Sequence, residues 1–331
     1  MTDSNSIGIP LRIVVIGRAG MDLYPEPAGT KIADATNFSA MLGGSAANIA
    51  AGLARLGVDV SLMSALSDDP VGRFCKTQLA AFQIDQKLVS CSRAETRTSI
   101  ALSETRLDDH ETVIYRNGAA DFDLAGDLPD RMEVDGLTAL VVTGTALARE
   151  PSRTVTFQTI TRAREAGVPV VLDLDYRPYS WKSAKEASEV YLMAAKQSSI
   201  VVGNDAEFAV LRGVVRPDSE HARSLCEVGP RICVYKMGQD GAITFHDGEE
   251  TVSGIFPVEA LKPVGAGDAF LASFLTTLFE GKNVSRAVQR GSAAAALVVS
   301  RRGCSNAMPR SDEVTRFMSS HAMTPTSLVE V

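Results

Sequence analysis

Short apolar runs alternate with longer amphipathic or small-residue stretches through most of the 331-residue chain. LRIVVIG (11–17) is a near-continuous apolar run closed by glycine, the pattern of a strand buried on both faces. SAANIAAGLARLG (45–57) has the small residues of a closely packed helix, with Gly57 as its stop. VDVSLMSAL (58–66) predicts a strand. SDDPVGRFCKTQLAAF (67–82) predicts a helix capped by Ser67 or Asp68, with Pro70 in the first turn. The alternation resumes with a strand at 138–144, a helix from Pro151 to Gly167 and a strand at 168–175. A helix around 183–196, a strand at 198–204, a helix from Asp205 and a strand at 231–237 continue it. Repeated strand–helix units predict an α/β fold, a mostly parallel sheet covered by helices on both faces.

Two segments break this pattern. Residues 23–41 are polar and turn-rich, and TSIALSET and ETVIYRN flank the turn signal LDDH as a β-hairpin would. These predict a small β-sheet lid from 23–41 and 96–121, set into a three-layer core formed by 11–22, 42–95 and 122–320. Residues after about 320 read as a loose tail.

Composition narrows the function classes. With 33 Lys and Arg against 40 Asp and Glu, the net charge of −7 gives no support for nucleic acid or an anionic membrane surface as partner. The first residues, MTDSNSIGIP, lack the basic start and apolar core of a signal peptide, and no apolar run has membrane-spanning length. Cys75, Cys91, Cys226, Cys233 and Cys304 are scattered with no CxxC pair, as expected of reduced thiols in a cytoplasmic protein. His110, His221, His246 and His321 show no metal-ligand spacing.

The stretch KPVGAGDAF (262–270) leads into an apolar run expected to be a helix ending at Gly281. Its glycines let the backbone approach a ligand, and the free N–H groups of a helix start favour an anion. Taken by itself it reads equally well as a helix start capped by Asp268. A second pair, Gly43-Gly44, opens the helix containing Asn48 and offers donors to a hydroxyl-rich ligand; close helix–sheet packing would account for it as well.

GGSAAN followed far downstream by GAGDAF, with this α/β pattern and a β lid between, resembles the two signatures of the ribokinase-like, or PfkB, sugar kinase family. The resemblance spans about Leu11 to Met308 and implies an ATP- and Mg2+-dependent kinase, with a monovalent cation such as K+ left open. It implies that Asp268 is the catalytic base and that Gly265, Ala266 and Gly267 form an anion hole for the transferring phosphoryl group. It assigns Asn204 and Glu207 to the magnesium ion, Glu207 through water; as a bare pattern they are a capping box. It places ATP against Lys236, Gly238, Gly241 and Ser292, the last where many relatives carry asparagine. For the acceptor it implies Asp22, Gly43, Gly44 and Asn48. Lys262-Pro263 stands where many relatives have aspartate and threonine, which marks a subgroup of the family.

Arg116, at the end of the expected hairpin, and Arg177, just before Pro178, fall on ligand-side loops where relatives acting on acid sugars hold the carboxylate; each could equally be a surface charge. Arg18, Lys31 and Tyr115 are further candidates. GRAGMDLYP, LDLDYRPYSW and VSRRGCSNAMP resemble the subgroup of this family that acts in inositol breakdown; that resemblance, with the two arginines favouring an acid sugar, implies transfer to the C6 hydroxyl of 5-dehydro-2-deoxy-D-gluconate. Alternatives are 2-keto-3-deoxygluconate, a neutral ketose or ribose, or a non-catalytic sugar or nucleotide sensor on the same fold. Lids of this family often pair between subunits, which implies a homodimer.

Overall fold

Alternation within the first strand sets the layers of the molecule. In β1 (Arg12–Ile16), Ile13 and Val15 pack into one apolar core while Val14 and Ile16 pack into the other. The computed structural model describes residues 10–93, 95–215 and 218–325, so the N-terminal stretch 1–9 and residues 326–331 of the expected tail lie outside the described residues.

The further strands are β2 (Gly20–Glu26), β3 (Asn37–Gly43), β4 (Asp59–Leu66), β5 (Val89–Cys91), β6 (Ser99–Ser103), β7 (Thr112–Tyr115) and β8 (Ala139–Thr143). They are followed by β9 (Val170–Asp173), β10 (Ile200–Asn204), β11 (Ile232–Lys236), β12 (Ala242–His246) and β13 (Glu249–Ser253). The large sheet runs β13-β12-β11-β10-β9-β8-β1-β4-β5, with every pairing parallel except the two made by the reversed strand β12, with β11 and with β13. The chain leaves β1 first for β4 on one side and later for β8 on the other. Ligands of such sheets bind beyond the carboxyl ends of the strands at this reversal.

The helices are α1 (Ser45–Arg55), α2 (Pro70–Ala81), α3 (Leu128–Arg131), α4 (Ser152–Glu165) and α5 (Ala184–Ala195). Then come α6 (Asp205–Arg212), α7 (Glu220–Cys226), α8 (Ala266–Phe279), α9 (Val284–Val299) and α10 (Ser311–Ser320). One face of the sheet is covered by α1, α2, α8 and α9, and the other by α3 to α7. The parallel sheet between two helical layers, expected from the alternation, is the observed architecture.

A second sheet, β3-β2-β6-β7, stands apart. Its β6–β7 pair is the expected hairpin, with Ile100 opposite Tyr115 and Ser103 opposite Thr112. Two local expectations change. Helix α2 is capped by Asp69, whose carboxylate accepts from the N–H groups of Val71 and Gly72 at 2.9 Å, because Pro70 takes the first helical position and leaves the cap to the residue before it. The C-terminal segment is tied down at Thr324, whose N–H donates to the Ile255 carbonyl at 2.8 Å.

Candidate active site

The glycine loop and the start of α8 lie beyond the carboxyl end of the large sheet, facing Lys236 at the end of β11. Gly265 is the N-cap of α8 in a left-handed conformation, φ 89°, and no side chain caps the helix. The first N–H groups of α8 are therefore left for a ligand, and Asp268 is not their cap. A methyl group on Gly265 would lie 3.0 Å from the Cys304 sulfur, and one on Gly267 would lie 3.2 Å from the Lys236 ammonium. Lys236 thus leans against the peptide unit at Gly267, adding a positive charge to the dipole of the helix start.

Asp268 stands in the first turn of α8, where its Oδ2 accepts from Asn48 Nδ2 of α1 at 2.8 Å. This bond brings together residues 220 positions apart and joins the two glycine motifs. Burial, with Asp175 adding to it, pushes the Asp268 carboxyl up to about 7, against the pull of Asn48, Arg177 and Lys236. A carboxylate titrating near neutrality is matched to general-base work.

Below Asp268 lies a polar floor. A methyl group on Gly43 would sit 1.9 Å from Asp22 Oδ1, so Asp22 rests directly on the glycine backbone. Gly44, φ 96°, would place a side chain 2.3 Å from the Arg18 carbonyl. Burial raises the Asp22 pKa, with Arg18, Tyr24 and Lys262 opposing. Arg18 Nη2 is 3.9 Å from Asp22 Oδ1, an oxygen that has no hydrogen-bond partner; Asn48 Oδ1 is also unpartnered. Buried acceptors without donors are uncommon and mark a place where a hydroxyl-bearing ligand would satisfy them.

A cluster of acids comes from the ends of β9 and β10. Asp173 ends β9, and its carboxyl is raised by burial and by Asp175, Glu207 and Asp268, with Lys236 opposing. Asp175 Oδ1 pairs with Arg177 Nη2 at 2.8 Å and Asp175 Oδ2 accepts from the Thr145 hydroxyl at 3.2 Å. Asn204 and Glu207 form the capping box that their spacing allows, through bonds of 2.9 and 2.8 Å. The second oxygen of Glu207 accepts from the Tyr176 N–H at 3.1 Å. Two oxygens with one bond each retain lone pairs for water. Asp173 and Asp175 were missed as site residues, although LDLD at the end of a parallel strand carries the signal.

The two arginines differ. Arg116 is buried: its Nε donates to Asp121 at 2.9 Å, Nη2 to Asp121 and to the Thr145 carbonyl at 3.1 Å, and Nη1 to Ser180 at 3.3 Å. Its guanidinium also covers the Phe122 ring. Arg116 is therefore structural cement with little donor capacity left, neither a surface charge nor an open grip. Arg177 keeps 45% of its side chain exposed beside Asp175. Arg18 donates to Ser99 Oγ at 3.0 Å and is buried, whereas Lys31 and Tyr115 are exposed. Of the residues expected to meet a nucleotide, Gly238 (φ 60°) is exposed, and Gly241 (φ 90°) packs on the Ser253 carbonyl. Ser292 is half-buried on α9, beside a Gly291 packed against the Phe270 ring.

Residues 11–311 match the model of the pfkB family of carbohydrate kinases. A 5-dehydro-2-deoxygluconokinase of Photobacterium profundum is 38% identical over 93% of this chain and 95% of its own. One of Clostridium tetani is 34% identical over 93% of each. Among solved structures, a double mutant of a Vibrio cholerae fructokinase, bound to fructose, ADP and potassium, superposes with a TM-score of 0.82 at 23% identity, covering 93% of this chain and 98% of that one. With the family pattern matched almost end to end and identity above a third, this chain belongs to the pfkB family of carbohydrate kinases.

Proposed function

We propose that this chain transfers the γ-phosphoryl group of ATP to the terminal C6 hydroxyl of 5-dehydro-2-deoxy-D-gluconate. The observation that carries the chemistry is the Asn48–Asp268 bond: it fixes a carboxylate titrating near 7 in the first turn of α8, beside the open N-terminus of that helix. The names of the curated relatives carry the substrate.

In this reading Asp22 and Asn48, each with an unpartnered oxygen, hold the hydroxyls of the sugar acid. Asp268 accepts the proton of the acceptor hydroxyl as that oxygen attacks the γ-phosphorus. The bond from phosphorus to the bridging oxygen breaks and ADP leaves. The N–H groups of Ala266 and Gly267, with the Lys236 ammonium, meet the charge on the transferring group, and most of the rate comes from this alignment and charge stabilisation. Gly238, Gly241 and Ser292 line the nucleotide side. Arg177, half-exposed, grips the substrate carboxylate, while Arg116 braces the loop behind it.

Among the described residues no cluster of three or more acids, histidines or cysteines is arranged to cage a metal. Magnesium ions typically keep several waters and bind through substrate phosphates, so Glu207, through water, and Asn204 fit its outer contacts. When bound, the ion would neutralise the phosphates.

The lid supports a homodimer: Phe38 of β3 and Val113 and Tyr115 of β7 are exposed on its edge strands. Use of ATP supports a cytoplasmic location, and among the described residues no helix is long and apolar enough to cross a membrane.

The test is ADP release over a panel of aldonates, keto-deoxyaldonates, ketoses and ribose. The proposed acid should lead in kcat/KM. Fructose or ribose ranking first would overturn the acid-sugar reading, and no ADP release with any member would overturn the kinase.

A further inference from the structure

Lys262 is fully buried, with 0% of its surface exposed. No carboxylate pairs with it among the described residues. Its ammonium donates instead to two main-chain carbonyls, Val264 at 2.5 Å and Val298 at 3.4 Å. Val298 lies in the last turn of α9, where carbonyls are orphaned and the helix dipole favours a cation. Val264 directly precedes Gly265, the N-cap of α8. Lys262 therefore ties the end of one helix to the loop that opens the other. The main chain follows the same route, because the N–H groups of Leu261 and Lys262 both donate to the Val299 carbonyl.

The geometry at Val264 reaches into the site. The Val264 carbonyl and the Gly265 N–H belong to one planar trans peptide unit, so they point in opposite directions. Holding the oxygen toward Lys262 holds that N–H away from it, and a charged partner on the oxygen polarises the unit toward stronger donation. Asp22, Asp268 and Cys304 surround the ammonium at longer range and oppose the effect of burial, which lowers its pKa.

Main-chain carbonyls converging on a cation are the ligands that potassium itself uses. At this joint they are already engaged by an ammonium of the same charge, and a second cation beside it would be repelled. The residues present therefore do not fit an exchangeable monovalent ion here. We propose that Lys262 is a positioning residue, a cation tethered within the chain that orients the glycine cradle and makes turnover independent of added monovalent ions.

The proposal rests on the kinase reading, and its test separates the two. Wild-type kcat is measured with MgATP and the sugar acid in tetramethylammonium buffer, with and without saturating potassium. The two rates should agree within about twofold; activation of about tenfold or more would overturn the proposal. In Lys262→Met, kcat should fall at least about tenfold, as when one oriented donor to a transition-state oxyanion is lost. Ammonium or potassium, but not tetramethylammonium, should restore part of that loss. A variant with unchanged kcat, or with a loss that neither ion relieves, would refute the tethered-cation role. Calorimetric binding of MgADP reads the cradle without turnover: affinity should weaken in Lys262→Met and recover with ammonium. That result would stand even if no sugar were phosphorylated, an outcome that would fell only the kinase reading. Should Lys262→Met not fold, Lys262→Gln and the wild-type ion titration still decide.

Discussion

Replacing Asp268 by asparagine should move activity and stability in opposite directions. An ordinary aspartate titrates near 4, and Asp268 titrates at about 7 because the fold buries it beside Asp175. The native state therefore holds this proton more tightly than the unfolded chain, and the stability tied to it is complete below pH 4 and lost as pH rises through 7. At about 1.4 kcal/mol per pH unit, the ionised form costs the fold up to about 4 kcal/mol above pH 7. Asp268 is only partly buried in the open cleft, and water there reduces the figure to about 1–3 kcal/mol. An asparagine in its place would avoid that cost and, through its amide oxygen, still accept from Asn48 Nδ2. In Asp268→Asn, thermal unfolding at pH 8.5 should shift up by a few degrees, and at pH 5 the gain should shrink to about a third of that. Turnover should fall by about 10²–10⁴, the usual worth of a general base. Wild-type kcat/KM should climb about tenfold per pH unit below 7 and level off above it. The ADP assay and a melt at each pH read all of this. Turnover within about tenfold of wild type, or a lower melting temperature at pH 8.5, would remove Asp268 from the role of buried base.

Other substitutions separate the parts of the site. Gly43→Ala puts a methyl group 1.9 Å from Asp22 Oδ1; KM for the sugar should rise about tenfold or more, with KM for ATP little changed. Arg177→Ala should raise KM for the sugar acid by about 10–100-fold, the worth of a charge-assisted hydrogen bond, and leave neutral sugars unaffected; equal effects on both would remove Arg177 from the carboxylate grip. Arg116→Ala strands the buried Asp121, so it should lower stability by about 3–5 kcal/mol and appear in thermal melts before kinetics. Gly265→Ala imposes a side chain at φ 89°, 3.0 Å from the Cys304 sulfur, and should depress kcat more than KM for the sugar.

What the sequence revealed follows from how local each signal is. Strands buried on both faces read as apolar runs, and the glycines at 44 and 265 announce themselves because their backbone angles exclude other residues. The two glycine motifs were legible one at a time, yet their union through Asn48 and Asp268 depends on the packing of α1 against α8. The fate of Arg116 was hidden for the same reason: three of its partners, Asp121, Thr145 and Ser180, lie up to 64 residues away along the chain. The cap of α2 was misplaced by a residue because Ser67, Asp68 and Asp69 are all good caps, and only the position of Pro70 chooses among them. Lys262 was legible as an oddity. Where its ammonium goes could not be read, since both acceptors are backbone carbonyls, which no side-chain pattern records.

Charge balance explains why so many cations converge on one loop. The reaction brings the phosphates of ATP and the carboxylate of a sugar acid into a cleft that already holds Asp173, Asp175, Glu207 and Asp268. Asp173, deepest in the sheet, relieves part of this by keeping its proton more tightly. Arg177 and Lys236 answer part of the remainder, and they are the charges that pull the Asp268 pKa back down. Lys262 contributes from below, through the peptide unit it holds. Each arriving cation, and magnesium above all, lowers the cost of ionising Asp268, while each arriving anion raises it. The base is thereby coupled to the donor: it should give up its proton most readily once metal-neutralised ATP is in place, and least readily with the sugar acid alone. The apparent pKa governing kcat should then lie below the value near 7 that governs kcat/KM, because kcat reports the occupied site and kcat/KM the free enzyme. A kcat profile shifted to higher pH would mean that the anions outweigh the cations there, and the base would not be coupled to the donor in this way.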